Sequence, residues 1–326
     1  MTNDQVRHSR FVIPPDIIGC MKVSVIGIGK VGSTVAFVMA REGLASELVL
    51  YNRTREIARA DAIDIQQAVA FVPHRVQVRD GSIEDTASSD VLIVCVGVPT
   101  KSADQDRREW ANGNTRLIAE LMPRIAALSP DAIIINVTNP NDVICHHLLT
   151  LTKLPWQRVI GTGTLIDSAR FREMLSDQIG IHAVDLNAYV LGEHGDSAFA
   201  ALSIAHSGGE HIDATPTRQR MIEEAKQSAW EVFRVKGYTN YAVAMAVQLI
   251  MQSIAGDLRF TMPVSVLIQG YCGVEDVCLS VPCVVGRQGV HMRMKPRLSA
   301  EEEALFRHSA SCVRETIVRT TPLLTT

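Results

Sequence analysis

The sequence predicts an α/β protein in which a doubly wound parallel sheet is followed by a mixed α+β domain. Three observations predict it. Short β-branched runs alternate with helical stretches from residue 22 to about residue 163, a glycine-spaced turn follows the first run, and long helices and clustered strands take over after it. At 326 residues, with 47% hydrophobic and 21% charged side chains, the chain has room for two domains and the balance of a folded globular protein. We divide it into an extension over 1–21, a first domain over 22–163 and a second over 164–326.

Residues 1–21 read as an appended, mobile extension: they are polar, broken by Pro14-Pro15, and end at Met21, which offers a second start. A buried strand is expected over 23–28, then a glycine turn and a helix through Arg41, a strand over 47–51, a helix over 54–70, and strands over 91–96 and 133–137. Strands separated by helices imply parallel βαβ units, whose ligand site lies beyond the carboxyl ends of the strands. The second domain opens with a helix from Leu165. Strand-like stretches at 187–191 and 202–205, helices over 217–235 and 240–256, strands within 263–293, and a last helix introduced by a capping box at Ser299 follow.

Gly27, Gly29 and Gly32 fall directly between the first strand and the first helix, with Lys30 and Val31 among them. In this G-x-G-x-x-G spacing the first glycine permits the tight turn, the second lets backbone approach a pyrophosphate, and the third lets helix and strand pack closely. Glycines that merely serve a turn are the plain alternative, but the strand-turn-helix context favours a Rossmann dinucleotide-binding domain. An acidic residue usually ends the second strand of such a domain and binds the ribose of NAD. Here Asn52 stands near that place, followed by Arg53, Thr54 and Arg55. Loss of the carboxylate removes repulsion toward a 2′-phosphate, and the arginines can pair with one, so NADP(H) is expected over NAD(H). A solvated basic turn is the competing reading.

Together with these motifs, the segments Thr138-Asn139-Pro140-Asn141-Asp142, Gly161 through Arg170, Gly192-Glu193-His194-Gly195-Asp196-Ser197 and Lys236-Gly237-Tyr238-Thr239 resemble the lactate/malate dehydrogenase family. The resemblance runs from Met21 almost to the carboxyl end. It implies a nicotinamide-dependent dehydrogenase acting on a small L-2-hydroxy acid, and a homodimer or homotetramer. It also assigns roles. His194 would exchange the hydroxyl proton, Asp167 would orient it, Arg170 would hold the substrate carboxylate, and Asn139 would help place substrate and nicotinamide, with Gly97 also on the cofactor side. The chemistry suits these residue types: a histidine titrates near neutrality, a carboxylate stabilises its imidazolium, and a guanidinium fork matches a carboxylate. Asp167 and Arg170 lie one helical turn apart and can share a pocket, although such a pair is often only a surface salt bridge.

Residues 98–114 resemble the family's mobile lid, with Arg107 as the carbonyl-polarising arginine and Arg108 as its rival. At the lid's discriminating position, lactate enzymes carry glutamine and malate enzymes arginine; here Thr100 or Lys101 falls there. Thr239 resembles lactate-type enzymes and favours a monocarboxylate, whereas an inward Lys101 would favour malate. Arg172 has no histidine at position 187, which is Asn187, so half of the family's sugar-bisphosphate site is missing.

Other classes have less support. A net charge of −3 without a long basic block gives nothing to track a nucleic-acid backbone, and no apolar run reaches bilayer length. Seven scattered cysteines without a metal-type CxxC fit reduced thiols, no metal, and a cytoplasmic location. Neither HExxH nor GxSxG occurs. A nucleotide-binding protein that has lost catalysis is the rival of another class, and retention of Arg107, Asp167, Arg170 and His194 argues against it.

Overall fold

The computed structural model describes residues 21–98 and 107–325, with Arg107 described by its backbone alone. Of the expected extension over 1–21, residues 1–20 lie outside the described residues, and Met21 packs against the core. Strand β1 (Lys22–Ile26) enters the glycine turn and helix α1 (Lys30–Glu42); β2 (Glu47–Tyr51), α2 (Arg55–Ala68), β3 (Gln77–Asp80), β4 (Val91–Val94), α3 (Arg107–Leu128), β5 (Ile133–Asn136), α4 (Asn141–Thr152) and β6 (Val159–Gly161) follow. Helix α5 (Leu165–Ile179) precedes two small hairpin-like pairs, β7 (Val190–Leu191) with β8 (Phe199–Ala200) and β9 (His206–Ser207) with β10 (Glu210–His211). Two long helices, α6 (Pro216–Lys236) and α7 (Tyr241–Gly256), lead to a meander of β11 (Thr261–Tyr271), β12 (Val274–Gly286) and β13 (Gly289–Arg293), and α8 (Ala300–Thr320) follows.

Among the described residues, nine strands form one sheet in the order β13-β12-β11-β6-β5-β4-β1-β2-β3. The six from β3 to β6 are parallel, and β4 and β5 are buried along their whole length because helices cover both faces. Strand order reverses beside β1. The carboxyl ends of β1, β4 and β5 therefore open on one crevice, where this topology places a ligand. Apart from the two small pairs, the strands of the second domain, β11, β12 and β13, do not form a sheet of their own. They extend the first sheet antiparallel, and β11 meets β6 at a single ladder pair, Ser265 with Gly161.

Most expected elements occur with small shifts of their ends. The first strand stops at Ile26 because Gly27 turns the chain at φ +99°, and the 91–96 run is strand only to Val94. One expectation fails. The 202–205 stretch is a 3-10 helix, Leu202–Ile204, capped by Ala205; buried Leu202 and Ala205 recur at three residues, the repeat of that helix rather than of a strand. Glu302 explains the choice: it completes the capping box with Ser299 and also accepts from the Ser203 amide at 2.9 Å, which removes that amide from ladder pairing. Within 187–191, only Val190–Leu191 is strand, with Asn187 in an isolated bridge to His206.

Candidate active site

The three glycines divide their tasks. A Cβ at Gly27 would come within 2.8 Å of the Cys95 backbone, and one at Gly32 within 2.0 Å of the Gly27 carbonyl oxygen. Both are used by the fold itself. Gly29 meets nothing within 4 Å, so its open side lies at the N-terminus of α1, which has no side-chain cap and no acidic residue in its first turn. Unused N–H groups and the positive end of the helix dipole face that space, and both suit a pyrophosphate. The site therefore fits a dinucleotide. Lys30 flanks it, with Nζ 4.3 Å from the centre of the Tyr238 ring, next to Thr239 in the turn between α6 and α7. Val31 lies within the first turn of the helix.

At the second strand's end the basic cluster is already engaged. Asn52 Nδ2 donates to the Ile28 carbonyl at 3.0 Å and so braces the glycine turn. Arg53 pairs with Glu120 at 3.1 Å, and Arg55 Nε donates to Asp80 at 2.7 Å. The expected phosphate-binding pair thus carries two carboxylate partners, one of them at the end of the neighbouring strand. Gly97 sits beside Asn114, whose Oδ1 accepts from the Val98 amide at 2.8 Å and whose Nδ2 donates to the Asn139 carbonyl at 2.7 Å. Asn114 thereby ties the chain after β4 to the exposed Asn139, which precedes a cis proline.

Deeper in the crevice, Asp167 brings three side chains together. It lies in the first turn of α5, and its Oδ2 accepts from His194 Nδ1 at 2.6 Å while Oδ1 accepts from Arg170 Nη1 at 3.0 Å. The expected i, i+3 pair exists, but it is buried and shared with the histidine, unlike an ordinary surface bridge. Burial alone would raise the carboxylic acid, yet the charges of His194 and Arg170 outweigh it and hold Asp167 below its ordinary value. Burial likewise pulls His194 down, and Asp167, then Asp142, more than compensate, so the imidazole is raised. With Nδ1 committed to Asp167, Nε2 is the ring nitrogen turned away from the carboxylate.

The scaffold beneath this cluster is crossed by chain-distant hydrogen bonds. Gly192 exchanges both backbone bonds with Ser280 of β12, and Ser280 Oγ accepts from the Thr164 amide at 2.9 Å, so one residue anchors both the histidine loop and the start of α5. Gly192 has φ +89°, and a Cβ there would lie 2.5 Å from Ser309 Oγ of α8. Asp142 in the first turn of α4 accepts from the His194 amide at 2.7 Å and from Ser265 Oγ at 2.5 Å. Asp142 and Asn114 stand inside motif segments and Ser265 and Ser280 in the strands behind them, but nothing in their spacing reveals partners that lie 16 to 123 residues away.

Arg107 begins α3, and its side chain, like Thr100 and Lys101, lies outside the described residues. Arg108 is exposed. Thr239 is half-buried, and Asn240 beside it donates to Thr34 Oγ1 of α1 at 2.8 Å, which fastens the turn to the glycine-loop helix. Arg172 Nε donates to the Ser168 carbonyl at 3.2 Å, and Asn187 pairs with His206. Among the described residues no cluster of three or more potential metal ligands occurs, and no helix is long and apolar enough to cross a membrane.

Residues 21–161 match the lactate/malate dehydrogenase NAD binding domain and residues 164–322 the lactate/malate dehydrogenase alpha/beta C-terminal domain. An L-lactate dehydrogenase of Clostridium perfringens is 35% identical over 303 residues, spanning 90% of this chain and 95% of the relative. One of Acetivibrio thermocellus is 35% identical over 306 residues, 91% and 96% of the two chains. Among solved structures, a minor L-lactate dehydrogenase from Enterococcus mundtii superposes with a TM-score of 0.88 at 28% identity, covering 92% of this chain and 98% of its own. A lactate dehydrogenase from a Medee basin deep-sea metagenome gives 0.87 at 29%, covering 93% and 99%. With its glycine turn, its shared Asp167 and both halves accounted for, the chain belongs to the lactate/malate dehydrogenase family, an α/β dehydrogenase with an NAD-binding domain.

Proposed function

We propose that this dehydrogenase interconverts a small L-2-hydroxy monocarboxylate of the lactate type and its 2-oxo acid. The observation that carries the reading is the bridging of His194 and Arg170 by Asp167, which puts a proton carrier and a carboxylate-binding fork in one partly buried pocket. Lactate as the substrate class is supported by Thr239 and by the names of the relatives.

In oxidation, Arg170 holds the substrate carboxylate through the guanidinium edge not used by Asp167. His194 Nε2 accepts the hydroxyl proton as the carbon loses its hydride, and Asp167 stabilises the imidazolium that forms. A bound nicotinamide supplies the hydride acceptor, or the donor in reverse. Asn139, in the turn after β5, would help to place substrate and nicotinamide. Arg107 polarises the carbonyl oxygen in reduction; Arg108 is its rival, and separate lysine substitutions of the two distinguish them. In the direction of reduction, His194 returns its proton to the carbonyl oxygen, so atoms and charge balance.

The expected preference for NADPH over NADH belongs to this proposal. The uncharged Asn52 supports it, while the Arg53–Glu120 and Arg55–Asp80 pairs must open before either arginine meets a 2′-phosphate. We also infer a homo-oligomer, supported by Ile57 and Ile63 on α2 and Tyr241 and Met245 on α7, all large apolar side chains left exposed. A cytoplasmic location is supported by the six described cysteines, all free. Oxidation of NADH and of NADPH with a panel including pyruvate and oxaloacetate tests the activity. Turnover of pyruvate sustains the reading, turnover of oxaloacetate alone makes the enzyme malate-type, and no turnover defeats it.

A further inference from the structure

We propose that Asp142, held by Ser265, is a positioning residue that fixes the main chain at His194 and adds its charge to the support of the imidazolium. The inference rests on the proposed role of His194. It stands on geometry: Asp142 is 2% exposed, and its two oxygens take one hydrogen bond each from partners 52 and 123 residues away, the His194 amide at 2.7 Å and Ser265 Oγ at 2.5 Å. A plain explanation exists, since an aspartate in the first turn of a helix complements the dipole. That role needs no burial and no distant partners. Here the carboxylate is aimed into the junction of α4, β11 and the histidine loop.

Its electrostatic surroundings point the same way. The titratable groups facing Asp142 are His194 and Glu193 from the loop, Cys145 from its own helix and Cys278 from β12. Burial pushes Asp142 up to about 7, although Ser265 and the His194 amide pull it down. Around His194 stand Asp167 and Arg170 from α5 and Asp142 from α4, with Lys226 of α6 facing Asp167. Among the described groups facing Asp142, His194 is the only one that carries positive charge when protonated. The Asp142 charge in turn favours the protonated form of His194, so the carboxylate that holds the histidine's main chain also acts on its ring.

Asparagine separates charge from shape at this position. Its Oδ1 can still accept from the His194 amide, and its Nδ2 can donate to Ser265 Oγ once the hydroxyl rotates. Asp142→Asn is therefore expected to keep NADH binding while the pH at which kcat/KM for 2-oxo acid reduction falls moves down by about 0.5–1 unit. Stability moves oppositely. Because folding raises this acid, the stability that its neutral form provides is fully present below the ordinary aspartate value and is lost as pH rises through about 7. Asp142→Asn should therefore melt no lower than wild type at pH 8, so that a moved limb is read in a folded variant.

Ser265→Ala removes one donor to the carboxylate and is expected to move the same limb in the same direction by less. If Asp142→Asn does not accumulate folded, Ser265→Ala alone reads the limb. An unmoved limb in the folded variant overturns the proposal. A wild-type enzyme that reduces no 2-oxo acid defeats the proposed function instead, whereas an active wild type with an unmoved limb defeats this inference alone.

Discussion

The pocket at His194 and the rim at the end of β2 use the same chemistry, guanidinium against carboxylate, with opposite weight. At the rim, the side chains of Arg53 and Arg55 are 74% and 68% exposed, so water and salt screen their pairs and either arginine can be recruited or released at little cost. In the pocket, Asp167, Arg170 and His194 are 13%, 21% and 22% exposed, and each charge alters the protonation of its neighbours. Identical residue types thus make a fixed machine at one end of the crevice and an adjustable surface at the other. The glycine turn between them is set by backbone packing, with no charged side chain required.

The sharpest way to break this contrast is His194→Asn. It should lower kcat by about 100-fold to 10,000-fold while NADH affinity, measured by fluorescence titration, stays within a few-fold. A near-normal rate would remove the pocket from the chemistry. Arg170→Lys comes next. A point charge cannot reproduce two parallel hydrogen bonds, so KM for the 2-oxo acid should rise about 10-fold to 100-fold with little change in cofactor affinity. An unchanged KM would reduce Arg170 to a partner of Asp167.

The pH dependence sharpens the comparison further. Reduction requires protonated His194, whose folded value is raised, so activity should persist past the free-histidine value of about 6.5 and fall as pH rises through the raised one; oxidation should rise over that range. A limb below the free-histidine value would contradict the support from Asp167. The smallest effects belong to the rim. Asn52→Asp should shift the ratio of NADPH to NADH specificity constants toward NADH, by a few-fold and less at high salt. A shift that ignores salt would mean that the rim is not screened as its exposure implies.

Legibility in the sequence followed the range of the forces involved. Strands β1, β2, β4 and β5 were readable because burial on both faces leaves near-continuous apolar runs, and the capping box at Ser299 because its partners are three residues apart. His194, Asp167 and Arg170 were expected together through a family resemblance, and the structure places His194 and Arg170 each within hydrogen-bond reach of Asp167. Asp142 was not singled out, because an acidic residue in a helix's first turn looks ordinary and its partner Ser265 is 123 positions on. The 3-10 turn at Leu202–Ile204 was misread because Glu302, nearly a hundred residues later, decides it. At the rim, Arg55 looked available because nothing local announces Asp80 as its partner.

The single ladder pair between β6 and β11 has a mechanical consequence. A sheet yields first where the fewest backbone bonds cross it, and Ser265, at that seam, also holds Asp142 beneath the histidine loop. Opening there would scatter the proton-transfer groups while β1, α1 and the glycine turn stay paired with β2 and β4. In a denaturant titration, therefore, turnover should disappear before the capacity to bind dinucleotide, and amides of β11 should exchange with solvent ahead of those of β1.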